Sequence, residues 1–111
     1  MSNSTQEADN RAAFHAYLTL RGHTISWDSP HRVGQSWRSS RPPGWADGIG
    51  FTRDGRFLAV ERKREFGDVG EHGEKGRKRF ELQRQFGQKV IAAGGVWVMA
   101  RSVKDLEEAG L

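Results

Sequence analysis

Three side chains between Gly44 and Lys63 have the types and spacing for chemistry on phosphate esters. Asp47 follows Gly44-Trp45-Ala46, and Glu61 and Lys63 close the run Phe57-Leu58-Ala59-Val60-Glu61-Arg62-Lys63. An Asp54-Gly55 pair between the two runs reads as the turn of a hairpin. Residues two apart in a strand point to one face, so the Glu61 carboxylate and the Lys63 ammonium share a surface. Two acids brought together repel each other and favour a divalent cation between them. Mg²⁺ is commonly held by one or two carboxylates, waters and substrate phosphate. The Arg62 main-chain carbonyl offers a further oxygen ligand, and Lys63 can orient a water and offset charge building on phosphorus. An ordinary Glu-x-Lys ion pair on a surface strand fits the same residues.

That chemistry makes a demand on register. With a two-residue Asp54-Gly55 turn, Asp47 pairs with Arg62 and points away from the Glu61 face. With an Arg53-Asp54-Gly55 loop, Gly55 left-handed and a bulge, Asp47 falls opposite Glu61. Only the second register joins the acids, so the three-residue loop is expected.

The rest of the chain must position this hairpin. Residues 1–4 are polar and expected to be disordered. A helix is expected from about Thr5 to Arg21, capped by Thr5 and stopped by Gly22, with Glu7 in a first turn that favours a carboxylate. His23 to Trp27 reads as a short strand. Asp28 to Pro43 reads as a long loop or at most an irregular hairpin, carrying Arg32, Arg38 and Arg41 around Trp37. Those residues suit phosphates and a base face; a solvated loop anchored by Trp37 suits them equally. Glu65 to Gly76, with four glycines among charges, reads as a mobile loop. Arg77 to Ala93 has a helical apolar stripe of Phe80, Phe86, Val90 and Ala93, with Gln83 on its inward edge in need of a partner. Lys75, Arg77, Lys78 and Arg84 give this region a basic face suited to backbone phosphates, or simply to water. Gly95 to Ala100 reads as a buried strand, and Ser102 with Asp105 as the start of a last short helix. Helix, strand, hairpin, helix, strand, helix implies an α/β fold with a mixed sheet flanked by helices.

The chain has 111 residues, 18 Lys and Arg against 14 Asp and Glu, and no cysteine. One domain spanning 1–111 is expected. A net charge of +4 is compatible with a nucleic-acid partner. No cysteine means no disulfide or thiolate metal site, no apolar run suits a membrane span, and no basic-plus-apolar leader is apparent. A cytoplasmic location is therefore expected. There is no phosphate-binding Gly-x-x-x-x-Gly-Lys loop, no dinucleotide fingerprint and no nucleophile elbow, and the four histidines lack ligand spacing.

Glu7, Asp47, Glu61-Arg62-Lys63 and Gln83 stand in an order and spacing that resembles the VRR-NUC branch of the PD-(D/E)XK nucleases. Gly44-Trp45-Ala46-Asp47, Gln83-Arg84-Gln85-Phe86, Ala92-Ala93-Gly94-Gly95-Val96 and Ala100-Arg101-Ser102-Val103 carry the likeness, which covers most of the chain outside residues 23–43. The resemblance implies a restriction-endonuclease-like core with a mixed four-stranded sheet, using Mg²⁺ or Mn²⁺. Asp47 and Glu61 would be metal ligands, Lys63 the catalytic lysine, Gln83 an active-site glutamine and Glu7 a supporting acid. It further implies an endonuclease on branched DNA such as four-way (Holliday) junctions, working as a homodimer, often phage-encoded and then active in the host cytoplasm. A nuclease on ordinary duplex or single-stranded DNA, and a non-catalytic DNA-binding module on the same fold, are the alternatives. Two positions depart from the family: Ala46 stands where proline is common before the aspartate, and the segment after Lys63 is longer and more charged.

Overall fold

The computed structural model describes residues 3–29, 31–39, 41–63 and 73–111, with side chains described throughout except at residues 3–9 and Trp37. The chain forms helix α1 (Asn3–Leu20), strand β1 (Thr24–Trp27), a small hairpin of β2 (His31–Val33) and β3 (Ser36–Arg38), then strands β4 (Gly48–Phe51) and β5 (Phe57–Arg62). Helix α2 (Gly73–Ala92), strand β6 (Val96–Ala100) and helix α3 (Val103–Glu108) complete it. The main sheet has the order β1-β4-β5-β6, antiparallel except for the parallel β5–β6 pair that α2 connects. This is an α/β domain with a mixed four-stranded sheet.

The β4–β5 turn is the three-residue loop expected. Phe51 pairs with Phe57 and Gly48 with Val60, a register that leaves Arg53-Asp54-Gly55 outside the ladder. Gly55 takes φ 89°, a left-handed conformation that costs any L side chain about 1–2 kcal/mol. The Thr52 N–H donates to the Arg56 carbonyl (2.8 Å) and the Gly55 N–H to the Thr52 carbonyl (2.9 Å). The buried Thr52 hydroxyl donates to the Asp54 carboxylate and accepts the Arg56 N–H at 2.9 Å. These bonds hold the loop at one length, and the length sets the register of everything upstream.

Strand alternation then sorts β5 into two faces. Leu58 and Val60, both fully buried, pack with Phe14 and Leu18 of α1, Ile25 of β1, Ala100 of β6, and Leu106 and Leu111 at the C-terminal end. Ala59 faces the other way, against Val90 and Phe86 of α2 and Trp97 of β6. Glu61 and Lys63 follow Ala59 on this second face, under α2.

Several local expectations are corrected. Helix α1 begins at Asn3, so Thr5 lies inside it rather than capping it, and Glu7 sits beyond the first turn, where the pull of the helix N-terminus has faded. Residues expected to be loop at 73–76 are the first turn of α2, despite two glycines; residues 65–72, the remainder of the expected mobile loop, lie outside the described residues, as do residues 1–2 and 64. Of the two readings of the 28–43 segment, the hairpin is the one found, Val33 pairing with Ser36 across Gly34-Gln35. Asp105 plays the expected part at α3, its carboxylate accepting the N–H groups of Arg101 (2.8 Å) and Ser102 (3.3 Å). Among the described residues no helix is long and apolar enough to cross a membrane.

Candidate active site

Continued one residue past β4, the β4–β5 register puts Asp47 opposite Glu61. The Asp47 carboxylate accepts the Arg62 N–H at 3.0 Å. An extended residue sends its N–H and C=O to the same side, so the Arg62 carbonyl is also directed toward the Asp47 edge. The next residue points the other way, the Lys63 N–H donating to the Ala100 carbonyl of β6 at 2.9 Å.

Backbone contacts hold Asp47 in place from both sides. Gly44 has φ 90°, and a Cβ there would lie 2.8 Å from the Leu82 carbonyl oxygen of α2, so only glycine lets the chain pass this close to the helix. On the other side Arg41 ties three carbonyls together, donating to Ala46 (2.8 Å), Asp47 and Ser26 (3.2 Å). The Asp28 N–H donates to the Asp47 carbonyl at 2.7 Å, extending the β1–β4 ladder by one rung.

Glu61 is 5% exposed and Gln83 7% exposed. The Gln83 amide bridges Glu61 of β5 and Lys63 just beyond it: its Nε2 donates to Glu61 Oε1 at 3.2 Å and its Oε1 accepts from Lys63 Nζ at 2.9 Å. That arrangement supplies the partner an inward-facing helix glutamine requires. Glu61 Oε2 is buried without a hydrogen-bond donor among the described residues. Burial, and next the negative charge of Asp47, push the Glu61 carboxyl up to about 8, with Lys63 opposing. A buried oxygen without a donor beside a second carboxylate needs either a proton or a cation.

The donor set therefore fits a hard divalent cation. Two carboxylates and a carbonyl, with room for water and substrate, match Mg²⁺ or Mn²⁺. Among the described residues no group of three or more His, Cys, Asp or Glu is gathered, so a cation here would rest on two carboxylates with main-chain and water oxygens.

Asp47, Glu61 and Gln83 open onto a cleft of about 620 Å³. Of the basic and aromatic residues expected to meet nucleic acid, Arg38, Arg41, Lys75 and Lys78 line this cleft. Most of Arg41's hydrogen bonding goes to the three carbonyls just described, which makes it a support for Asp47. Lys78 pairs loosely with Glu74 at 3.8 Å, an exposed contact of little strength. Arg32 is exposed on β2, Arg77 is exposed on α2, and Arg84 pairs with Glu81 at 3.0 Å; none of these three lines the cleft. Trp37 lies on β3 and Glu7 on α1, and the side chains of both are outside the described residues.

Sequence reasoning passed over Arg79, Asp28 and Ser39, which also line the cleft. Arg79 stands four residues from both Lys75 and Gln83, so helical spacing alone placed it on their face. Asp28 lies opposite Asp47 once the β1–β4 register is known, and its carboxylate accepts the Ser39 hydroxyl at 2.5 Å.

No family model, curated protein or solved structure matches this chain. The site accordingly stands on its own geometry.

Proposed function

We infer that this protein is a metal-dependent endodeoxyribonuclease of the PD-(D/E)XK type, hydrolysing phosphodiester bonds in DNA. The observation that carries the reading is the donorless, buried Glu61 Oε2 beside the Asp47 carboxylate. The other Glu61 oxygen, Oε1, is joined to Gln83 and through it to Lys63 in one hydrogen-bonded chain. The VRR-NUC identity, branched DNA as substrate and a homodimer as the working unit rest on the resemblance of the motifs. A dimer fits junction cleavage because two strands must be cut and the described residues of each protomer hold one such site.

Asp47, Glu61 and the Arg62 carbonyl would hold the cation, which when bound supplies charge neutralisation and polarisation of the scissile phosphate. The chain's own residues do the rest. Arg38, Lys75, Lys78 and Arg79 attract the phosphate backbone to the cleft and set its position. Gln83 fixes the Lys63 ammonium, which then orients the attacking water and balances the charge growing on the phosphate oxygens. The water oxygen bonds to phosphorus and gives up a proton to solvent, the bond from phosphorus to the departing sugar oxygen breaks, and that oxygen takes up a proton from solvent.

Incubation of the protein with labelled four-way junction, flap, single strand and linear duplex, in Mg²⁺ or in EDTA, tests the reading. Mg²⁺-dependent cutting, faster on the junction than on the duplex, is the expected result. Equal rates on every substrate would remove the structural preference and leave a general nuclease. DNA binding with no cutting in either Mg²⁺ or Mn²⁺ would leave only a DNA-binding module.

A further inference from the structure

The carboxylate cleft shares a wall with a second depression of different character. Pro43, Trp45 and Leu82 line both. The second depression has a volume of about 470 Å³, and beyond the shared wall its surfaces are Phe57 and Phe86 with Gln85 and Lys89 at the edge. The Trp45 and Phe86 rings lie 4.9 Å apart at 31°, and Phe57 meets Phe86 edge-on at 6.5 Å. Phe86 is half-buried and supports the others, while Trp45, Leu82 and Phe57 are 41%, 42% and 41% exposed. These aromatic faces stand open to water directly beside a polar, charged cleft.

The neighbourhood selects the kind of ligand. Trp45 is two residues from Asp47, so the two positions are at most about 7 Å apart along the backbone. A strand whose phosphate sits at Asp47 and Glu61 therefore brings a neighbouring nucleotide to the aromatic wall. Lys89 is placed for a further phosphate, and the Gln85 amide offers a donor and an acceptor to the edge of a base. The basic residues of the cleft continue the same positive track along a polyanion. Inside a duplex, base faces are stacked on one another and closed to a tryptophan; only an unpaired base can lie on one.

We propose that the Trp45–Phe86 wall is a subsite for an unpaired nucleobase next to the scissile phosphate. This deepens the nuclease reading and rests on it, because the subsite's place beside the cut depends on the carboxylates being the cutting site. It gives the protein a physical means of preferring DNA in which a strand leaves the duplex.

The test compares the affinity of the full chain for an oligothymidylate strand and for a blunt duplex of equal length, by fluorescence anisotropy in EDTA. Trp45→Ala should weaken single-strand binding about tenfold, with a much smaller loss on the duplex. Trp45→Phe, which keeps an aromatic face and guards against a folding artefact, should restore most of the affinity. Equal losses on both substrates, or none, would overturn the subsite. So would a wild-type dimer that Trp45→Ala turns into a monomer with single-strand affinity intact, because the wall would then be an interface between copies. The two readings fail separately. Mg²⁺-dependent cutting with Trp45-independent binding removes the subsite alone; Trp45-dependent binding without any cutting removes the nuclease alone.

Discussion

Replacing Glu61 with glutamine should make the metal-free protein more stable at alkaline pH, by an amount the site's electrostatics set. The Glu61 carboxyl is raised from 4.5 to about 8, first by burial and then by Asp47. Between those two values the unfolded chain has released the proton and the folded chain keeps it. Folding therefore takes up a proton, and stability falls as pH rises through this window, reaching its floor above about 8. At about 1.4 kcal/mol for each tenfold change in proton affinity, the full penalty is about 5 kcal/mol. That is a large part of the ~5–15 kcal/mol that holds a domain together. Glu61→Gln keeps an acceptor for Gln83, carries no charge to bury, and offers the Asp47 carboxylate an amide donor.

The assay is thermal unfolding in EDTA at pH 5 and pH 9, wild type against Glu61→Gln. The variant should match the wild type at acid pH and melt several degrees higher, on the order of 10 °C, at alkaline pH. His23, lowered by desolvation and then by Arg53, runs the opposite way, destabilising the fold as pH drops through the histidine range. It is present in both proteins and cancels in the difference. A variant no more stable than the wild type at pH 9 would refute the argument that Glu61 is a buried, strained carboxylate.

Further outcomes follow from the same geometry. Added Mg²⁺ or Mn²⁺ should raise the melting temperature of the wild type more at pH 9 than at pH 5, because the cation competes with the proton on Glu61, and should do little for Glu61→Gln. Gln83→Leu removes both amide bonds at once and should lower the rate of DNA cleavage about a hundredfold while leaving the far-UV spectrum unchanged. Arg41→Ala should cost about 2 kcal/mol in urea unfolding, since the guanidinium's bonds to the Ala46 and Ser26 carbonyls are lost and the Asp47 carbonyl keeps only the Asp28 N–H. Gly87→Ala would set a Cβ 2.2 Å from the Trp97 indole and should cost about 3 kcal/mol in the same measurement.

The parts of this fold that could be read in advance are those governed by short-range rules. Asp54-Gly55 marks the turn but suits two loop lengths; the requirement that Asp47 meet Glu61 selects the three-residue loop, and that is the register found. Strand alternation put Lys63 beside Glu61, and helical spacing put Gln83 inward. The start of α2 was hidden because Gly73 and Gly76 disfavour a helix locally, and tertiary packing of the later turns overrides them. Arg41 was read as a phosphate ligand because a basic residue in a polar loop suggests one. Its partners are backbone carbonyls from separate segments, Ser26 and the Ala46-Asp47 pair, and no local pattern encodes such a meeting. Asp28 was passed over for a related reason: its place across from Asp47 depends on the β1–β4 pairing, which joins distant residues.

The central claim is that Asp47 and Glu61 hold the cation of a phosphodiester-cleaving site, and one measurement bears on it most directly. It is the Mg²⁺-dependent rate of four-way junction cleavage by Asp47→Asn, taken with that variant's junction affinity in EDTA. Asparagine keeps an acceptor for the Arg62 N–H, so the loss is of charge alone. The account predicts cleavage reduced at least about a hundredfold, with DNA bound as tightly as before or more so, one negative charge having left a site for a polyanion. Cleavage by Asp47→Asn at the wild-type rate would contradict it.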